Sequence, residues 1–572
     1  MSTCIAPEQH APPAVGLDMS KSHKKSRKLI RHMSNPGMDA MSKVPLRSTD
    51  KATHVPALGV TQGEIPAWLE GSLYRDGPGV LNIGDSWYHH YFDGMAVIHK
   101  FHIKDGEARY SSRILESDTY EKNSRANRIV CNEFATVAYP DPCMTTMQKF
   151  MSRFQMPDID DITDNCAVNV GFYGDQLFAM TETNNMRRID PDTLQSIGEK
   201  TTISKYVAVN LATAHPHVDE DGTLYNMGNS FTGSKGPTYN IIKFPPPKTL
   251  PDGKTLSSIE QGSVVASMPC QWKMSPGYYH SFHITDNYFI LIEQPLGVSV
   301  PKLVAASLKN KGMVHAMKWH KDVPTKFRIA RRSNGEELKC EYQAKTFFTF
   351  HQMNAYEEDG HLVIDTIVYE DGNIINSLWI KNLTDPELTR DMVSDGHPRR
   401  YVLPLNVKDS PVKTNLVTLK GTKAQAFKLK NGKVVCDYEP LGEGRMEMPR
   451  YNYKFNGKKY RYCYGFETTR GINAGKLVKL DLVTKQKSHW ISDVKVCISE
   501  PIFVERPGAT EEDDGVVLAS LLHEDHEKQV QLLVLDAKSF AQLAIVTFQT
   551  MGVVTKDLHG LFARSCDTVH GY

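Results

Sequence analysis

The chain has 572 residues, and its 67 Lys and Arg are set against 66 Asp and Glu for a formal charge of +1. That balance produces no field to draw a nucleic-acid backbone, so nucleic acid is excluded as an expected partner. The length leaves room for one large all-β unit or two ordinary domains. No run reaches the roughly 18 to 20 uninterrupted apolar residues of a spanning helix; even Tyr288 to Val300 carries Glu293 and Pro295. The ten cysteines are scattered without a C-x-x-C pair, as thiols of a reducing compartment are.

Residues 1–55 read as a disordered tail, rich in Ser, Lys, His, Met and Pro, with folding expected to begin near Thr61. Lys21, Lys24, Lys25, Arg27, Lys28 and Arg31 cluster there without an acid between them and without an apolar signal core. This suits either a mitochondrial leader or a solvated basic tail in the cytosol. Beyond it, short β-type runs alternate with dipeptides that favour tight hairpins: Asp105-Gly106, Asp221-Gly222, Asn431-Gly432, Asn456-Gly457 and Asp514-Gly515. A meander this long must close as a propeller or large barrel to hide its edges. One helical pattern interrupts it, with Met144, Met147, Phe150, Met151 and Phe154 at i, i+3 and i+4 spacing beside Lys149 and Arg153. That face suits a membrane interface or a hydrophobic passage, and equally a helix packed on the core.

Of 22 histidines, four stand among apolar, small or turn-forming neighbours: His215, His280, His351 and His559. Their separations are 65, 71 and 208, the last close to three times the mean of the others, which suits one histidine per repeating blade. Four neutral imidazoles without a thiolate leave iron, copper, nickel and zinc open as the metal. Ligand histidines commonly donate their second N–H to a carboxylate. Glu182, Glu447 and Glu500, in apolar settings, are candidates for that role, though each reads as well as a strand residue facing solvent.

These motifs, together with Gly71 to Gly79, His90-Tyr91-Phe92-Asp93-Gly94, Pro140 to Cys143, Thr181 to Asn184 and Glu511 to Gly515, resemble the animal branch of the carotenoid cleavage oxygenase family from about Pro66 to Phe562. The resemblance implies a single domain over 56–572, an all-β, seven-bladed β-propeller with a helical cap over its top face and one Fe(2+) on the axis. The iron ligands would be His215, His280, His351 and His559, with two cis positions open for O2 and possibly the substrate double bond. Glu182, Glu447 and Glu500 would orient His280, His351 and His559, while His215 lacks a carboxylate. His90 and His217 would be non-ligands. Phe92, Phe134, Thr181 and Tyr369 would line the substrate tunnel. The implied reaction is oxidative cleavage of a carotenoid double bond. The basic extension and Phe150 to Phe154 favour the eccentric 9′,10′ bond and a mitochondrial location. Alternatives are central 15,15′ cleavage, retinyl ester isomerohydrolysis and a non-catalytic carotenoid-binding propeller. Met144 stands where relatives often carry Lys, which weakens the case for peripheral membrane contact through 140–156, and lipidation of Cys143 is left open.

Overall fold

A computed structural model describes residues 43–139, 162–231, 236–385, 394–470, 473–565 and 568–570. The basic cluster, the expected helix after Met144 and Cys143 lie outside these residues. Seven blades follow one another around the ring, antiparallel except where Tyr342–Ala344 of the fourth pairs in parallel with Val434–Asp437. The second is the simplest, with Asn169–Tyr173, Gln176–Met180, Asn185–Ile189 and Thr201–Thr202 as neighbours. The third to sixth blades are built around Leu224–Ser230, Tyr288–Glu293, His361–Val368 and Tyr462–Arg470.

The ring is closed twice. In the first blade Gly71–Val80 pairs with Met95–Lys104 on one side and with His559–Ser565, from the far end of the chain, on the other, setting Asp76 opposite His559. In the seventh, Val60–Gly63 adds an outer strand to Gln542–Gln549. Exchanging both termini removes the open edge that a meander would leave.

Local chemistry explains the hairpins. Asp105 and Gly106 both have positive φ, 51° and 75°, the conformation that a two-residue turn between right-twisted strands requires. Asp514-Gly515 does not make the expected hairpin. Gly515 begins the strand Gly515–His523, and a Cβ there would stand 2.3 Å from the Val504 carbonyl oxygen, so the glycine serves close strand packing.

The expected tail ends too late. Val44 and Leu46 are 1% and 2% exposed, Ser112 N–H donates to the Thr53 carbonyl at 2.8 Å, and Arg47 donates to the carbonyls of His523 and Glu524. Residues 44–53 thus strap the two closing blades. Their polar composition concealed this, because the few apolar side chains do the packing while backbone groups and Arg47 make the bonds. No disulfide forms among the described residues, and Cys166, Cys270, Cys436, Cys463 and Cys497 are buried free thiols. Among the described residues no helix is long and apolar enough to cross a membrane.

Candidate metal centre

The four histidines singled out in sequence come together. Their nearest ring nitrogens all lie within 4.8 Å of one another. His215 Nε2 is 2.9 Å from His280 Nε2, His280 Nε2 is 3.1 Å from His351 Nε2, and His351 Nε2 is 3.2 Å from His559 Nε2. Three of them are fixed from behind. His280 Nδ1–H donates to Glu182 Oε1 at 2.5 Å, His351 Nδ1–H to Glu447 Oε2 at 2.6 Å, and His559 Nδ1–H to Glu500 Oε1 at 2.8 Å. With Nδ1 protonated, each Nε2 turns a lone pair to the centre.

The electrostatics agree. Burial lowers the pKa of His215 well below the usual histidine range and that of His559 to about 3, with neighbouring imidazoles adding to the effect, so these two rings are neutral bases. Burial alone would raise Glu447 and Glu500. His351 at the first, and Arg450, His559 and Arg75 at the second, overcome it and hold both carboxyls below the ordinary range.

Such a group fits a metal ion. Four lone pairs about 3 Å apart repel unless a cation lies between them. A metal–nitrogen bond of ~2.0–2.1 Å places nitrogens at right angles ~2.8–3.0 Å apart and tetrahedral ones ~3.3–3.4 Å apart. The observed 2.9–3.2 Å lie between these two spacings, as close together as ligands of one ion stand.

A wall of aromatic rings stands on one side of the cluster. Phe350 lies 5.1 Å from His280, Phe92 is 6.2 Å from Phe350, and Phe134 is 6.1 Å from Phe92. Tyr369 is 6.4 Å and Tyr278 6.5 Å from Phe350. Both tyrosine hydroxyls are engaged behind the wall, Tyr278 donating to Glu182 at 3.0 Å and Tyr369 to Glu447 Oε1 at 2.5 Å. Beyond those hydroxyls each tyrosine offers ring surface to Phe350. Short helices, Asn373–Ser377 and Ile380–Leu383, cover this wall through Trp379, whose ring is 5.8 Å from that of His90.

Comparison with known proteins settles the family. Residues 46–564 match the family described as RPE65, retinal pigment epithelial membrane protein. The chain belongs to this family. Mouse (Mus musculus) beta,beta-carotene 15,15'-dioxygenase is 42% identical over 516 residues, 90% of each chain. The ferret (Mustela putorius furo) protein named carotenoid-cleaving dioxygenase, mitochondrial, is 42% identical over 511 residues, 87% of this chain and 92% of its own. Among solved structures, a mutant of the Synechocystis apocarotenoid oxygenase superposes with a TM-score of 0.71 at 22% identity, covering 90% of this chain and 97% of the other. That likeness supports the seven-bladed propeller.

For this family member, the expected site residues divide clearly. Phe92, Phe134 and Tyr369 join the aromatic wall, and Thr181 lies half-buried next to Glu182. His90 stands apart, its Nε2 donating to the Ile375 carbonyl at 2.9 Å while Nδ1 accepts from Phe92 N–H. Sequence reading missed Phe350, Tyr278, Arg75 and Arg450. Phe350 directly precedes His351, Tyr278 stands two residues before His280, and Arg75 is inside the Gly71 to Gly79 motif. Their roles depend on contacts distant in sequence, such as Arg75 Nη1 donating to Glu500 at 3.0 Å.

Proposed function

We propose that the protein is a non-haem iron(II) dioxygenase that cleaves a carotenoid double bond with O2. The single observation carrying this is the cluster of four imidazoles set directly against an aromatic wall. His215, His280, His351 and His559 would hold the ion. Glu182, Glu447 and Glu500 keep three rings in the tautomer that offers Nε2. Ferrous iron would supply the activation of dioxygen that no side chain here provides, so that a double bond is split into two carbonyl fragments. A polyene presents only apolar surface, so Phe92, Phe134, Phe350 and Tyr369 would bind it by contact and exclude water, with Thr181 at the edge. Tyr278 and Tyr369 spend their hydroxyls on the glutamates, which keeps the polyene's side free of competing polar groups.

The basic extension and Phe150 to Phe154, which lie outside the described residues, favour the eccentric bond. The relatives support the alternative, since mouse, rat, human and chicken proteins at 41–42% identity are named for 15,15′ cleavage. Central cleavage is therefore the reading adopted here. A mitochondrial location is supported by the ferret relative's name and the basic N-terminus. The amphipathic pattern at 144–154 supports peripheral membrane contact through 140–156.

Purified protein incubated with β-carotene under labelled dioxygen tests the whole reading. Central attack gives one labelled aldehyde of half the substrate's length. Two unequal labelled fragments would return the assignment to the eccentric bond. In a parallel incubation with a retinyl ester, unlabelled retinol formed without oxygen consumption would replace it with isomerohydrolysis, and intact carotenoid on an iron-free protein would replace it with a binding role.

A further inference from the structure

The imidazoles meet two unlike surroundings. His280 faces Phe350 and the aromatic wall. Away from that wall a cavity of about 60 Å³ reaches His215, His351, His559 and Glu500, but not His280. Its sides are successive residues near the propeller axis: 281–284, 352–355, 449–451 and Tyr453. It has room for about two waters and none for a polyene.

The turn 452–459 borders this cavity through Tyr453. Val218 N–H donates to the Tyr453 hydroxyl at 2.9 Å, and that hydroxyl lies 3.4 Å from His217 Nδ1. His217 Nε2 donates to the Phe282 carbonyl at 2.8 Å, which leaves Nδ1 as the ring's basic nitrogen. Asn354 grips the turn from within: its Nδ2 donates to the carbonyls of Phe455 at 2.8 Å and Lys458 at 3.1 Å, and its Oδ1 accepts from Gly457 N–H at 3.1 Å. On the outside the turn is latched by two ion pairs, Lys458 with Glu220 and Lys459 with Glu358. Both lysines are exposed, so the latches are weak and screened by salt.

A hydrated dication entering between aromatic rings loses its water and gains few oxygen or nitrogen ligands. The axial cavity offers those ligands. We propose that a hydrated divalent cation reaches the four histidines through this cavity, pausing at His217 Nδ1 and the Tyr453 hydroxyl, once turn 452–459 lifts. Metal and polyene then approach the centre by different routes, and the ion exchanges while the aromatic passage is occupied. The inference rests on the reading of the four histidines as a metal centre.

The test follows cobalt(II), added to full-length protein stripped by a chelator, by its visible absorption in stopped flow. Breaking both latches with Lys458→Glu and Lys459→Glu should speed loading about fivefold or more, and salt should speed the parent. His217→Phe should slow it about tenfold, and Tyr453→Phe, which keeps the ring, by less. All should end at one cobalt per chain. Phe134→Trp, on the other side, should load at the parental rate. Equal rates in the latch, His217 and Tyr453 variants, or slowing confined to Phe134→Trp, would overturn the route. A parent that takes up no cobalt would overturn the four-histidine centre and the route with it.

Discussion

Glu500→Gln is expected to destabilise the metal-free protein much more than Glu182→Gln, although each carboxylate holds one histidine through the same kind of bond. The Glu500 side chain is 2% exposed and accepts from His559, from Arg450 Nε at 2.7 Å and Nη2 at 3.0 Å, and from Arg75 Nη1 at 3.0 Å. Arg75 is 0% exposed and also meets Asp557 at 3.3 Å, while Lys556, 4% exposed, is 3.9 Å from that aspartate. The amide preserves shape but removes one of two negative charges from a cluster holding three buried cations. Breaking a buried pair in this way typically costs ~3–5 kcal/mol, a large share of a domain's ~5–15 kcal/mol. Glu182 is 26% exposed and faces the Tyr278 hydroxyl and His280, so its amide leaves no buried cation behind. Its loss should fall on metal affinity, by ~10–100-fold. Urea unfolding of the two metal-free variants, paired with metal titration, measures both effects. Equal midpoints, or a lower one for Glu182→Gln, would refute the reasoning.

His351→Ala removes one of four ligands and should abolish stable metal binding, read as metal content after gel filtration. Glu447→Gln should retain metal with affinity reduced ~10–100-fold. Phe134→Ala opens the aromatic wall 6.1 Å from Phe92 and should raise KM or mix the cleavage fragments while metal content stays at the parental value. Acid should weaken the metal-free fold. Burial lowers His90, His99 and His217 to about 4 and His283 and His559 to about 3, so these rings stay neutral when folded but take up protons when unfolded. Their contribution is complete above the ordinary value near 6.5 and is lost as pH falls below it, at up to ~1.4 kcal/mol per ring per pH unit. Asp76, Asp93 and Glu133 oppose this, because burial raises them and acid relieves the strain of ionising them. The histidines outnumber them, so urea midpoints should fall between pH 7 and pH 5.5. A flat or rising midpoint would contradict the sign.

The blades were legible because Asp105-Gly106 and its like mark turns by backbone preference alone, and the histidines because each sits where a chain turns between apolar strands. What sequence could not show was long-range. Arg75, Glu500 and Arg450 form one cluster from residues up to 425 positions apart, and no local pattern announces it. The strap at 44–53 was hidden by its polar composition. Asn456-Gly457 looked like one more hairpin but lies in the turn gripped by Asn354, because a turn dipeptide specifies a bend and not what it bends against.

Iron-edge X-ray absorption on the purified protein, with metal quantified in the same sample, tests the central claim most directly. One iron per chain is expected, surrounded by four imidazole nitrogens with additional positions filled by exchangeable oxygen ligands. An iron shell with fewer imidazoles or with sulfur, or a tetrahedral zinc in its place, would contradict it.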